Sequence, residues 1–330
     1  MPWRDHPDPY AVWVSEIMLQ QTQVETVRGY FARFLDAFPT VEALAAAPLQ
    51  QVLKAWEGLG YYSRARNLQK AAQTVVAHGV ALPRDAAGWS ELPGVGPYTA
   101  AAISSICFGE SVPVVDGNVV RVFARYLGWD DDFSKPAARA KLAVWLQPHI
   151  CASRRPGDFN QAMMDLGATV CVPRSPACEA CPLSASCVAR STGRQADWPR
   201  KRAKKATPVR QAVAVLVRDL SGRVLFVQRQ EAGLLGGLWE LPNTAVTRKP
   251  TVQRARAALG ELTGLSPRRV LRRGTVTHVF THFKQQLHVF EACGCDGSPV
   301  SAGQRPLRFA EPADLPLTTA TRRVLAAHFD

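Results

Sequence analysis

From Tyr10 to Leu19 the chain is apolar almost all round, with Glu16 its only ionisable side chain, and Asp8-Pro9 ahead of it supplies a cap and a first-turn proline. Such a run predicts a helix buried on most sides. Amphipathic spacing then predicts helices over Glu25–Phe38, ending at Pro39, over Thr40–Ala47, and over Leu49–Glu57, where Leu49, Val52, Leu53 and Trp56 recur at helical intervals. Thr99 to Ile103 is small-residue helix material, and Val119, Val120, Val122 and Phe123 mark another helix that Asn118 is placed to cap. From Arg190 to Arg210 the periodicity disappears. Beyond Pro208 it returns as strands: Gln211–Val217, a turn at Ser221-Gly222, and Val224–Gln228, which together read as a hairpin.

Two periodicities on either side of an aperiodic stretch imply two domains, and 330 residues suffice for two cores. The formal charge of +13 favours a polyanionic partner without separating DNA from RNA or an anionic membrane. Met1-Pro2-Trp3-Arg4-Asp5 lacks the basic start and apolar core of a signal peptide. Leu92–Gly109 carries no formal charge, but Pro93, Gly94, Gly96 and Pro97 suit a turn better than a membrane helix. The expectation from these features is a cytosolic protein, in which eight cysteines serve as ligands or core residues rather than disulfides.

Four stretches carry candidate chemistry. Glu16, a carboxylate in an apolar helix, reads either as the partner of an arginine or as a general acid whose pKa burial raises. Leu92-Pro93-Gly94-Val95-Gly96-Pro97-Tyr98-Thr99 reads as a plain turn or as a phosphate cradle, its glycines free to adopt dihedrals that a Cβ disfavours and its N–H groups aimed at an anion. Gly58 to Asn67 sets Tyr61 and Tyr62 beside Arg64 and Arg66, which either pack and pair or intercalate and hold phosphate. Cys171-x6-Cys178-x2-Cys181-x5-Cys187 puts four thiols within seventeen residues, a donor set for an iron–sulfur cluster or for structural zinc. Arg174 and Arg190 beside it suit phosphate. Cys107 and Cys151 read as core residues, and Cys293-x-Cys295 lacks a second pair. Arg200, Lys201, Arg202, Lys204 and Lys205 form a solvated basic linker that is also suited to a DNA backbone.

Leu92–Thr99 followed by Val114-Val115-Asp116-Gly117-Asn118 resembles the helix-hairpin-helix of the DNA glycosylase superfamily. Trp13 to Val24 closely resembles the segment carrying the catalytic glutamate of the adenine DNA glycosylases of MutY type. The resemblance implies that Glu16 is the acid, that Asp116 serves the sugar and that Asn118 orients the catalytic groups. It further implies that Gln21 and Tyr61 wedge into the base stack and that the hairpin with Gly94 and Gly96 grips the DNA backbone, and Arg64 beside Tyr61 then suits a phosphate contact. The cysteine pattern is similar to the 4Fe–4S loop of the same families, with Cys171, Cys178, Cys181 and Cys187 as ligands. Tyr98 stands where the endonuclease III-like sister family has a Schiff-base lysine, so the strand is left intact, with Tyr98 expected to hydrogen-bond near the sugar or Asp116.

Gly236-Gly237-Leu238-Trp239-Glu240-Leu241-Pro242 resembles the Nudix fold, and Arg256–Gly264 a decayed Nudix helix in which Ala257 and Gly260 replace glutamates while Glu261 remains. One carboxylate is a poor magnesium site, which implies recognition rather than pyrophosphate hydrolysis. Phe280-Thr281-His282 resembles the Phe-Ser-His loop with which the MutY-type family inspects 8-oxoguanine, with Thr281 keeping the hydroxyl and adding a methyl. The implied fold is an α + α/β two-domain chain: an all-helical helix-hairpin-helix glycosylase domain over 1–190 with its hairpin at 92–118 and iron-sulfur loop at 171–187, a basic linker over 191–208, and a Nudix-like α/β domain over 209–330. The implied activity is monofunctional excision of adenine opposite 8-oxoguanine or guanine in double-stranded DNA. An endonuclease III-like glycosylase/lyase and a non-catalytic iron-sulfur DNA-binding protein are the alternatives.

Overall fold

A computed structural model describes residues 1–4, 8–79, 81–200, 207–301 and 305–328. Its contacts separate two compact units, one of Met1–Ala45 with Lys70–Lys204 and the other of Ala46–Gln69 with Lys205–Asp330. The sequence puts its break at 191–208; the contacts add an exchange at 46–69, which packs with the C-terminal half. Lys201, Arg202, Lys204 and Lys205 of the expected linker lie outside the described residues.

Upstream of Lys201 the regular structure among the described residues is helical. α1 spans Pro9–Leu19, α2 Val24–Ala37, α3 Val41–Ala46, α4 Leu49–Ala55, α5 Ser63–Ala77 and α6 Ala86–Ser90. α7 spans Pro97–Phe108, α8 Gly117–Leu127, α9 Pro136–Cys151, α10 Pro156–Asp165 and α11 Val188–Ser191. The first four end close to where apolar spacing puts them.

α1 is capped by Asp8, whose Oδ1 accepts from Tyr10 N at 2.9 Å, and every residue from Tyr10 to Met18 is buried. It packs against α2 and α7, with Trp13 edge-on to Trp89 at 5.3 Å between ring centroids. Each fully buried side chain of this kind contributes roughly 1.5–3 kcal/mol. The small side chains of α7, Ala100 to Ala102 with Ser104 and Ser105, let α10 approach closely: a Cβ added at Gly157 would lie 2.6 Å from the Ser105 carbonyl oxygen. Beyond α10 the chain widens into a π-helix over Leu166–Val170, which delivers Cys171. Cys151, expected in the core, is exposed at the end of α9, and Cys107 is half-buried.

The second unit is a two-sheet sandwich. β1 spans Val209–Val217, β2 Val224–Gln228, β3 Trp239–Glu240 and β4 Asn243–Val246; α12 Val252–Thr263 follows, then β5 Ser266–Val279, β6 Lys284–Asp296, β7 Leu307–Ala310 and α13 Thr319–His328. One sheet has the order β4-β1-β6-β5 and the other β3-β2-β7. β1 and β2 therefore do not form the expected hairpin; beyond the bridge between Arg218 and Val224 they diverge into different sheets. β1 runs parallel to β6 and is covered on both faces. Ala212, Ala214 and Leu216 face one core with Phe226, Val324 and Leu325, while Val213, Val215 and Val217 face the other with Ala255, Leu259 and Phe290. Strand alternation explains the split.

The stretch 46–69 is joined to this sandwich by polar bonds. Gln50 donates to the Gly237 carbonyl and accepts from Trp239 Nε1, at 3.0 and 2.9 Å. Lys54 donates to Leu315 O at 3.0 Å, Glu57 accepts from Leu317 N at 2.9 Å, and Arg66 donates to Gly236 O at 2.7 Å.

Candidate active site

α1 carries Glu16 and the N-terminus of α7 carries Tyr98, and their packing brings the two side chains together: Tyr98 Oη donates to Glu16 Oε2 at 2.8 Å. Glu16 is 6% exposed, and among the described residues no lysine or arginine forms an ion pair with it. Its partner is a phenol, which removes the ion-pair reading. Burial pushes the Glu16 carboxyl above the usual range, and nearby Asp116 adds to the rise; the Tyr98 hydrogen bond and the Arg4 charge act against it. Burial and the same carboxylate hold the Tyr98 phenol well above its ordinary value. Tyr98, expected to hydrogen-bond near the sugar or Asp116, gives its hydrogen bond to Glu16, with the Asp116 charge close by.

Arg4 adds a further charge beside Glu16. Its guanidinium reaches Gln161 at 2.5 Å and Asp165 at 2.6 Å on α10, so its charge stands near Glu16 while its ion pair is made elsewhere. No spacing signal marks it, because its partners lie more than 150 positions away in the chain.

Asp116, rather than the expected Asn118, caps α8: its Oδ1 accepts from Val119 N at 2.7 Å, and Asn118 sits inside the first turn. Asn118 donates to Asp116 Oδ2 at 2.9 Å and accepts from Arg121 at 2.8 Å. Arg121 continues to the Gly167 and Cys171 carbonyls, each at 2.7 Å. A Cβ at Gly167 would lie 2.6 Å from Asn118 Cβ, so the π-helix reaches this turn only through a glycine. Arg121 was also missed, although its position three residues after Asn118 on one helix face is a readable signal.

In the turn before α7, Gly94 takes a left-handed φ of +79°. Gly96 does not: it is the extended N-cap of α7 at φ −90°, and a Cβ there would meet nothing within 4 Å. Its side is open, at the positive end of a 12-residue helix.

Gln21 and Tyr61 both hold left-handed φ values, +58° and +47°, which side chains with a Cβ rarely adopt. Tyr61 is 45% exposed, and its Oη lies 2.8 Å from Thr281 Oγ1. Phe280 stacks on Phe283 at 4.5 Å, and His282 is exposed beside it. Tyr61, Arg66, Phe280, Thr281 and His282 line one cavity of the second unit. Arg64 departs from expectation. It is 8% exposed, donates to the Leu59 and Gly60 carbonyls, and lies over the rings of Trp56 and Tyr61. Burial pushes its pKa down to about 10. It is a brace for the turn that carries Tyr61, too enclosed to meet phosphate.

Cys171, Cys178, Cys181 and Cys187 line one cavity, with Arg125 and Gln195 in its wall. Among the described residues no three histidine, cysteine or acidic side chains are placed to hold a single metal ion. Four thiols lining one shared space are a donor set for the cluster that the cysteine pattern implies. Arg190 pairs with Glu179 at 3.0 Å, and Arg174 is exposed. On α12, Glu261 is exposed and flanked by Gly260 and Leu262.

Residues 14–148 match the HhH-GPD superfamily of base excision DNA repair proteins, residues 171–187 the iron-sulfur binding domain of endonuclease III, and residues 212–327 the NUDIX domain. The adenine DNA glycosylase of Homo sapiens is 37% identical over 99% of this chain and 71% of its own length. That of Arabidopsis thaliana is 35% identical over 88% of this chain and 54% of its own. A thermostable thymine-DNA glycosylase superposes with a TM-score of 0.53 at 31% identity, covering 58% of this chain and 88% of its own. The chain carries a 4Fe–4S cluster, and the loop matched for it is the one whose cysteines share a cavity.

Proposed function

The chain belongs to the adenine DNA glycosylase family, and from that premise we propose that it hydrolyses the N-glycosidic bond of adenine mispaired with 8-oxoguanine or guanine in double-stranded DNA, leaving the strand intact. The observation that carries this reading is a buried Glu16 whose hydrogen-bonding partner is a phenol, with Asp116 close enough to raise its pKa.

Adenine leaves the stack before it is reached, at a cost of a few kcal/mol. Gln21 in the first unit and Tyr61 in the second, each held in strained backbone, are each suited to wedge into a base stack and offset that cost, while the amides around Gly94 and Gly96 grip phosphate. Glu16, kept protonated by burial, donates to N7 of the everted purine so that it departs neutral. The sugar is left electron-poor, and Asp116 faces it as a counter-charge or transient covalent partner, as in two-carboxylate glycoside chemistry. Asn118 and the Val119 amide fix Asp116 in that role. Glu16, or a water it activates, completes hydrolysis. Tyr98 has no amine, so no Schiff base forms.

When bound, the iron–sulfur cluster supplies a folded loop rather than an electron, because the hydrolysis has no redox step. In the second unit the Thr281 hydroxyl beside Tyr61 reads the base opposite the adenine. A lone Glu261 on α12 supports recognition over nucleotide hydrolysis. No helix among the described residues is long and apolar enough to cross a membrane. We place the protein at the nucleoid as a monomer.

The test offers duplexes with adenine opposite 8-oxoguanine, guanine or thymine, then alkali to reveal abasic sites. Release from the first two and not the third is expected; equal release from all three overturns the mispair specificity. Borohydride trapping of a protein–DNA adduct would instead support the endonuclease III-like alternative.

A further inference from the structure

Arg125 on α8 is 3% exposed, yet among the described residues no carboxylate pairs with it. Its Nε donates to the carbonyls of Gln195 and Trp198 at 2.9 and 3.2 Å, and Nη2 to Pro173 O at 3.1 Å. Nη1 donates to Val172 O at 2.8 Å, and lies 3.5 Å from Cys171 O and 3.4 Å from Cys171 Sγ. A buried guanidinium is costly without a counter-charge. Carbonyl dipoles solvate it in part, and the only group among its partners able to bear a formal negative charge is the Cys171 thiolate.

A second side chain does the same at another ligand: Gln195 Nε2 points at Cys178 Sγ, 3.7 Å away. Arg190, the other cation of the cavity wall, is already engaged by Glu179. Arg125 also joins three parts of the chain, bonding from α8 to the entry of the loop at 171–173 and to the stretch 195–198 beyond its last cysteine.

We propose that Arg125 is the counter-charge and positioning residue of the iron–sulfur loop, and that Gln195 is its second N–H donor to sulfur. Both donors stabilise the more electron-rich state of the cluster, so they hold its one-electron reduction potential up and slow loss of iron. Neither residue touches the everted base in this scheme, and the role is electrostatic rather than catalytic.

Film voltammetry and iron release to a chelator, on purified cluster-loaded protein, test this with Arg125→Gln, Arg125→Lys and Gln195→Leu. Arg125→Gln is expected to shift the midpoint potential to more negative values and to release iron severalfold faster. Arg125→Lys, which restores charge without the planar fork, recovers part of both changes, and Gln195→Leu gives a smaller shift of the same sign. Failure of Arg125→Gln to retain iron while its far-ultraviolet circular dichroism stays helical also supports the role. Should Arg125→Gln lose helix as well, the half-exposed Gln195 decides. A wild-type potential and release rate in Gln195→Leu then overturns the proposal, as does a loaded Arg125→Gln indistinguishable from wild type.

Discussion

Glu16 on α1 and Thr281 in the loop after β5 occupy opposite kinds of surroundings. Glu16 is buried, its neighbours come from helices, and a single hydroxyl meets it. Thr281 is exposed, its hydroxyl meets that of an exposed tyrosine held in strained backbone, and Phe280 and Phe283 stack beside it. The difference fits the two tasks that the proposed function assigns. A proton donor needs exclusion of water to shift its pKa, whereas a reader of an unmade pair needs a face that the nucleic acid itself can complete. Substitutions in the first place should therefore change rate with binding kept, and in the second should change discrimination with chemistry kept.

The sharpest break is Glu16→Gln. It keeps the shape and the Tyr98 bond but removes the proton, so single-turnover adenine release should fall by at least ~10³-fold, while duplex affinity by gel shift stays within about twofold. A variant that still released adenine would transfer the acid role elsewhere. Asp116→Asn comes next. Asparagine keeps the cap on Val119 N through its one oxygen but sets an NH2 against Asn118 Nδ2, so the melting temperature should fall by a few degrees, while the lost charge should slow base release by roughly 10²-fold. If stability fell and rate did not, Asp116 would be a cap alone.

The sequence shows the first region more plainly than the second, for a physical reason. An acid in a run as apolar as Tyr10–Leu19 stands out by itself, and so does the glycine turn before α7. What it could not show was direction. Tyr98, placed by its motif near the sugar or Asp116, bonds to Glu16, because the rotation of α7 against α1 is set by small side chains packing at long range. Asn118 was expected as the cap, but Asp116 takes it and leaves Asn118 free to bridge to Arg121. In the second region Arg64 looked like a phosphate contact and is a brace, since nothing in a local motif says which arginine will be covered. The strands of the sandwich were legible one by one, but their assignment to two sheets was not.

Two weaker perturbations sharpen the recognition side. Arg64→Met should cost about 1–3 kcal/mol in urea unfolding through the carbonyls of Leu59 and Gly60 it leaves unpaired, and should not reduce the salt dependence of DNA binding. A lowered salt slope would return Arg64 to the phosphate role. Thr281→Val keeps the branched shape and removes the hydroxyl, so the preference for 8-oxoguanine over guanine opposite adenine should narrow by roughly tenfold, the worth of one lost hydrogen bond. Wild-type discrimination in that variant would move recognition to Phe280 or His282.

The smallest effect expected is the most specific to the first region. Glu16 has a folded pKa above its unfolded value, raised chiefly by burial, so the fold favours its neutral form. The stability this contributes is complete below the unfolded pKa and is lost as pH rises through the folded one, and base release by a protonated acid falls across the same limb. Tyr98 acts against the shift by hydrogen-bonding the carboxylate, whereas Asp116 adds to it and Arg4 opposes it. Tyr98→Phe therefore raises the Glu16 pKa further. The falling limb of single-turnover release against pH should move to higher pH, with a severalfold gain over wild type on that limb once each is scaled to its own acid plateau. Movement to lower pH would mean that Tyr98 supports the neutral acid instead, and the buried hydroxyl would then be part of the proton donor rather than a brake on it.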